Sequence, residues 1–252
     1  MVDKLIHRIK RKLLKLRFQP IHVYCFHHVS DTYDAATMWD EDWTQTEALK
    51  QFVNRLQQKG YIFISLPEAH ERLKQDKFRR KKFAVLTADD GYKTLYNILP
   101  WFQEMQIPVT LFINPKYILE DEIDSDTQRR MQQSKISKDS ASLYLKSMDI
   151  QMLQSPLVTF GHHGFEHLDE WNINKEEFKR NLDLCVSAMR ESFKNVIPYY
   201  AHTYGHTNSG NDEVLQEFGL IPVYTAGNAN YNISAVIDRE LISQERLQHN
   251  LL

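Results

Sequence analysis

Cysteine is scarce in this chain. Its 252 residues hold two, Cys25 and Cys185, each inside an apolar segment. Neither has the paired spacing of a thiolate metal site. With no export signal in view, both are expected as reduced core residues in a cytoplasmic protein. An excess of charge of one sign is also missing: 31 Lys and Arg stand against 33 Asp and Glu, a formal net charge of −2. A nucleic-acid partner therefore has no compositional support. No stretch approaches the roughly 18 apolar residues needed to span a bilayer. Internal repeats and low-complexity tracts are absent as well.

What is present suits one α/β domain. Hydrophobic residues make up 42% and charged residues 25%, an ordinary balance for a globular chain long enough to bury a sizeable core. Apolar runs at 21–26, 61–64, 83–88, 108–113, 157–160, 196–200 and 221–225 read as strands. Helical patterns lie between them near 44–59, 67–75, 92–106, 148–154, 174–193 and 210–218. This alternation predicts a mostly parallel sheet, open or closed into a barrel. Thr44 before Glu47 and Asn174 before Glu177 have capping-box spacing.

Two segments stand apart from this rhythm. Residues 1–17 carry Lys4, Arg8, Lys10, Arg11, Lys12, Lys15 and Arg17 against Asp3 alone, with Leu5, Ile9, Leu13 and Leu16 at helical spacing. Residues 1–19 are thus expected to form a basic amphipathic segment ahead of a domain over 20–252. It either touches an anionic membrane surface or packs as a solvated helix on the barrel's end. It lacks the apolar core and small-residue cleavage site of a signal peptide. The second segment, 120–141, opens with Glu120, Asp121, Glu122, Asp124 and Asp126, and is expected as a polar insertion outside the core.

The chemistry concentrates in two motifs that follow predicted strands. Thr87-Ala88-Asp89-Asp90-Gly91 ends one apolar run with two carboxylates and a glycine that permits a tight exit. Gly161-His162-His163-Gly164-Phe165-Glu166-His167 follows another and places His163 and His167 four residues apart, a spacing that on a helical turn puts both on one face. One carboxylate and two imidazoles make a divalent-metal ligand set, and a second carboxylate is left over as a base. Functional side chains in α/β folds gather just beyond strand C-termini, so the two motifs are expected to meet. His162 is read as an ordinary loop residue. Trp39, Trp43, Tyr92, Trp171 and Tyr204 fall near strand ends or the following loops, where some can line a substrate groove, while any one of them alone reads as a core residue.

These residues resemble the polysaccharide deacetylase (NodB-homology) family, carbohydrate esterase family 4. Its T-F-D-D-G motif is similar to Thr87–Gly91, and its H-S/T-x-x-H motif to His163–His167, with Gly164 in the hydroxyl position. Its third motif, R-x-P-Y-G or a relaxed form, resembles Ala201-His202-Thr203-Tyr204-Gly205, in which the arginine is missing and Thr203 replaces proline. Phe26-His27-His28-Val29-Ser30-Asp31 resembles the Y-H-x-V-S-D opening of the exopolysaccharide N-deacetylase subgroup. The resemblance implies an irregular (β/α) barrel of about seven parallel strands. It implies Asp90, His163 and His167 as ligands of a divalent metal, with Zn²⁺ the expected ion, and Asp89 as the general base. It further implies the backbone N–H of Tyr204 as an oxyanion donor and His27, or its neighbour His28, as the general acid. Arg239 is the candidate cation beside Asp89, as a late-chain arginine is in some members.

The expected function is metal-dependent removal of an N-acetyl group from a hexosamine, in a glycan or a lipid- or nucleotide-linked precursor for surface polysaccharide. The expected place is the cytoplasm or the inner membrane face. A catalytically silent carbohydrate-binding protein on the same scaffold, or a deacylase of another amide or ester, is the competing expectation.

Overall fold

The computed structural model describes residues 19–35, 38, 40–75, 80–120, 143–205, 209–231 and 236–249. The basic segment 1–17, Trp39 and the polar insertion at 121–141 lie outside the described residues. Among these residues no helix is long and apolar enough to cross a membrane.

The strands are β1 (Ile21–Phe26), β2 (His28–Ser30), β3 (Trp43–Gln45), β4 (Tyr61–Phe63), β5 (Lys82–Ala88), β6 (Val109–Ile113), β7 (Val158–His162), β8 (Val196–Ala201), β9 (Ile221–Tyr224), β10 (Ile237–Asp238) and β11 (Glu240–Leu241). The helices are α1 (Thr46–Gln58), α2 (Leu66–Gln75), α3 (Leu99–Glu104), α4 (Pro115–Leu119), α5 (Ser147–Met152), α6 (Lys175–Ser192), α7 (Ser209–Glu217) and α8 (Gln244–Gln248). The main sheet runs β10-β9-β8-β7-β6-β5-β1-β11, with every pairing parallel.

Its two edge strands are consecutive in the chain, separated only by Arg239. Residues 237–238 pair with β9 and residues 240–241 with β1. One short segment therefore joins both edges and closes the sheet into a nearly complete barrel. All seven runs read from sequence form strands, and the short β10 and β11 complete the main path. The run at 61–64 forms β4, which pairs with the first half of β5 off the main path. The closing position goes instead to 237–241, whose short, charged sequence has no apolar run to mark it as a strand.

The period-two alternation of strand side chains separates two layers of core. Ile21, Val23, Phe83, Val85, Phe112, Tyr199, Ala201, Val223 and Ile237 pack together with Leu66, Ala69 and Leu73 of α2. Tyr24, Phe26, Leu86, Leu111 and Phe160 pack on the other layer with the helices. There α1 buries Leu49, Phe52, Val53 and Leu56 at 3–4 residue spacing, each worth about 1.5–3 kcal/mol on full burial. The Asn174 side chain caps α6 by accepting the Glu177 N–H at 2.9 Å. Thr44 does not cap α1, since it lies in β3 and Gln45 occupies the cap position without a side-chain bond. The helical pattern at 92–106 is split into a 3₁₀ turn (Lys93–Asn97) and α3, because Pro100 in the first turn of α3 has no N–H to continue a preceding helix.

Gly161 marks a tight spot in β7. A methyl group there would overlap the fully buried Phe112 ring. Gly161→Ala is expected to destabilise the fold by about 1–3 kcal/mol through overpacking, read as a lower midpoint in chemical denaturation.

Candidate metal and catalytic centre

Strand ends place the motif residues at one end of the barrel. After β5 the chain turns through two successive left-handed residues, Asp90 (φ 67°) and Gly91 (φ 76°). Asp tolerates that region better than most side chains and glycine adopts it freely. The turn sends the two neighbouring carboxylates in different directions. Asp89 faces Arg239, and Asp90 faces the histidines.

Asp90 Oδ1 lies 3.2 Å from His163 Nε2 and 3.3 Å from His167 Nε2. All three residues are buried. The two histidines sit on an irregular loop after β7, not on the helical turn that their spacing suggested. Gly164 (φ +78°) sets its path, and a Cβ there would come within 2.9 Å of Asn181 Oδ1 and the Glu166 carbonyl. This gives a physical reason for glycine in the hydroxyl position of the motif. Asn114, at the end of β6, donates to the His163 and Gly164 carbonyls, and Asn181 Oδ1 accepts the Phe165 N–H.

His163 Nδ1 is 2.8 Å from the Ala201 carbonyl. It donates there, which fixes the ring and leaves Nε2 as the nitrogen that faces Asp90 and can ligate a metal. Asp90 Oδ1 is buried yet accepts no well-aligned hydrogen bond, a costly state for a carboxylate unless a cation lies against it. One hard oxygen and two imidazole nitrogens, mutually within 4.8 Å, fit a divalent metal of the Zn²⁺ type.

Arg239, fully buried, meets Asp89 through two parallel bonds, Nη1 to Oδ1 at 2.6 Å and Nη2 to Oδ2 at 2.7 Å. Its remaining donors reach Thr225 Oγ1 (2.8 Å), Thr87 Oγ1 (3.3 Å) and the Tyr224 carbonyl (3.4 Å). Its guanidinium lies 5.2 Å from the Phe112 ring centre. Burial pushes the Asp89 carboxyl up, but the Arg239 charge outweighs it and holds the group below the usual carboxylate range. Asp89 is therefore ionised at neutral pH.

His27 and Tyr204 both line a cavity of about 480 Å³ that Asp89, Asp90, His163 and His167 also face. The Tyr204 ring is 4.7 Å from that of His167. His28 is placed differently. Its ring stacks on Tyr92 at 3.6 Å, and burial pushes its pKa down to about 3. A histidine that remains neutral cannot serve as a cationic acid, so His27 is the candidate. His162 is no loop residue. It ends β7, is buried, and contacts Cys185 Sγ. Trp171 is 64% exposed and lies outside the cavity lining.

The sequence motifs did not point to several residues found here. Asp42 joins the cavity wall with Oδ1 3.8 Å from His27 Nδ1, and burial raises its pKa. The run Asp40-Glu41-Asp42 was its only visible trace. A second buried polar cluster holds His202, with Nδ1 2.6 Å from Glu170 Oε2 and Nε2 3.0 Å from Asp212 Oδ1. Burial alone would lower the His202 pKa, but the two carboxylates raise it from 6.5 to about 9.

Two stability predictions follow from the charged pairs. Arg239→Met leaves Asp89 buried without its partner and is expected to cost about 3–5 kcal/mol, measured by denaturant unfolding. The His202 pKa is raised on folding, so its contribution is full below pH 6.5 and is lost as pH rises through about 9. Stability between pH 7 and 10 is expected to fall by on the order of 3 kcal/mol, and this slope should flatten in His202→Gln.

Comparison with known proteins agrees with this geometry. A search of curated sequences finds no match. Among solved structures, IcaB from Ammonifex degensii is 17% identical, with 93% of this chain and 96% of that chain covered at a TM-score of 0.71. A de-N-acetylase from Aggregatibacter actinomycetemcomitans is also 17% identical, with 93% and 100% covered at 0.72. The Streptococcus pyogenes deacetylase PplD, in complex with acetate, is 15% identical, with 93% and 97% covered at 0.72. At these identities the likeness establishes the fold. The family profile described as polysaccharide deacetylase matches residues 76–223, more than half of the chain and inclusive of all three motifs from Thr87 to Gly205. The protein belongs to the polysaccharide deacetylase family.

Proposed function

We propose that the protein hydrolyses the N-acetyl group of a hexosamine within a glycan. The observation that carries this reading is the convergence on one cavity of three kinds of group: a three-ligand cluster, a carboxylate kept ionised by Arg239, and a histidine able to act as acid. Asp90, His163 and His167 would hold the divalent ion, Zn²⁺ by the donor set. When bound, such an ion supplies a Lewis acid and lowers the pKa of water toward ~7.

Asp89 accepts the proton of the attacking water as its oxygen bonds to the acetyl carbon. Arg239 fixes both Asp89 oxygens, so the base presents one orientation. As the family resemblance implies, the Tyr204 N–H donates to the oxyanion. The C–N bond then breaks, and the nitrogen takes a proton from His27, giving acetate and a free amine. Asp42 Oδ1 lies 3.8 Å from His27 Nδ1, on the same cavity wall.

The Phe26–Asp31 motif, with His27 facing the cavity, supports placement near the exopolysaccharide N-deacetylases. IcaB and the de-N-acetylase cited above share the fold. The basic residues 1–17 favour a substrate met at an anionic membrane surface, such as a lipid-linked glycan.

Calorimetry on the metal-stripped chain should show one Zn²⁺ per chain, with binding lost in His163→Ala. Asp89→Asn and His27→Ala are expected to keep that binding while acetate release from N-acetylglucosamine oligomers falls by about 10²–10⁴. Full turnover in both variants, or no metal binding by the intact chain, would overturn the assignment.

A further inference from the structure

The geometry points to His202 as a positioning residue: held between Glu170 and Asp212, it clamps the Thr203–Gly205 turn so that Tyr204 keeps its place in the cavity. This inference rests on the deacetylase reading for its catalytic consequence, but the clamp itself is a matter of named contacts.

The turn needs holding. Tyr204 (φ 57°) and Gly205 (φ 66°) are successive left-handed residues, and a left-handed tyrosine persists only where its surroundings over-determine it. The family motif has proline at the position of Thr203, and proline stiffens a turn through its fixed φ but has no N–H. Thr203 works by bonding instead. Its N–H donates to Glu170 Oε1 at 3.1 Å and its hydroxyl to the Leu168 carbonyl at 2.6 Å. A proline could make neither bond.

His202 anchors the same turn from the other side. Both of its ring nitrogens face carboxylates, at 2.6 and 3.0 Å, so both are donors and the ring is an imidazolium. The groups facing it come from four elements: Glu170 from the loop after His167, Asp212 from α7, Tyr224 from β9 and Tyr200 from β8. Glu170 also accepts from the Tyr200 hydroxyl and Asn211 Nδ2, and Asp212 accepts from the Tyr224 hydroxyl.

None of the three charged residues lines the cavity. Buried ion pairs often add little to stability over an apolar replacement of the same shape. What this one does supply is a fixed link between two functional loops. Glu170 and Leu168 follow His167 directly, and His202 and Thr203 precede Tyr204. Ala201, next to His202, is the acceptor that orients His163.

The test uses the full chain with His202→Gln and the milder Glu170→Gln, each first checked for cooperative unfolding. Hydrogen exchange by mass spectrometry is expected to quicken over residues 201–205 and to stay unchanged over 158–162. On N-acetylglucosamine oligomers with Zn²⁺, kcat should fall by about 10- to 100-fold, while KM and Zn²⁺ affinity keep their wild-type values. A role confined to stability would lower the unfolding midpoint and leave kcat alone at temperatures where the protein is folded. Unchanged exchange at 201–205 in both variants overturns the clamp, and so does faster exchange with wild-type kcat. If exchange quickens but the wild-type chain is inert toward the glycan, the clamp stands and the reaction assigned to the site is what falls.

Discussion

The buried pair between Arg239 and Asp89 is the contact on which the barrel and the site both depend. Arg239 is the single residue between the two edge strands, so the segment that closes the barrel also delivers the guanidinium. Two charge-assisted bonds lock it onto the strand end of β5, and bonds to Thr87, Thr225 and the Tyr224 carbonyl satisfy its remaining donors. An unpaired charge at that depth would be strongly unfavourable, whereas the matched fork is fully satisfied. The family's third motif, which Ala201–Gly205 resembles, has an arginine at the Ala201 position; here Arg239, from late in the chain, pairs with Asp89.

The ends of β5, β7 and β8 share a backbone device. Each strand leaves the sheet through left-handed residues: Asp90 and Gly91, then Gly164, then Tyr204 and Gly205. Sharp exits turn side chains of consecutive residues toward different partners, and that is how Asp89 and Asp90 divide between Arg239 and the histidines. For the non-glycine members, Asp90 and Tyr204, the conformation is costly and must be held from outside. Asn114 and Asn181 hold the histidine loop, and the Glu170–His202–Asp212 cluster holds the third. The polar residues around the centre therefore act mainly on loop geometry, while the apolar core fixes the strands that carry those loops.

Much of this was legible in the linear chain. The strand–helix alternation and apolar runs predict a parallel α/β sheet, because burial on both faces leaves its mark as continuous hydrophobic strands. The motif residues Asp90, His163 and His167 announce a ligand set by residue type and by their places after strands. The helical arrangement expected for His163 and His167 was wrong in detail, since spacing alone cannot register the left-handed Gly164. The partnership of His202 with Glu170 and Asp212 escaped notice because no short-range spacing links them, and the pairings span 32 and 10 residues.

The sequence by itself determined the family, the parallel sheet and the identity of the chemical groups, since these follow from local periodicity and from motifs of a few residues. Tertiary structure alone decided which of His27 and His28 faces the cavity, because adjacent residues on an extended chain point oppositely and one falls against Tyr92. It alone closed the barrel through 237–241, where four ladder residues and one arginine carry no periodic signal. It alone turned His202 into a doubly bonded cation. Each of these depends on contacts between residues distant in the chain, and such contacts exist only once the strands have brought their ends together.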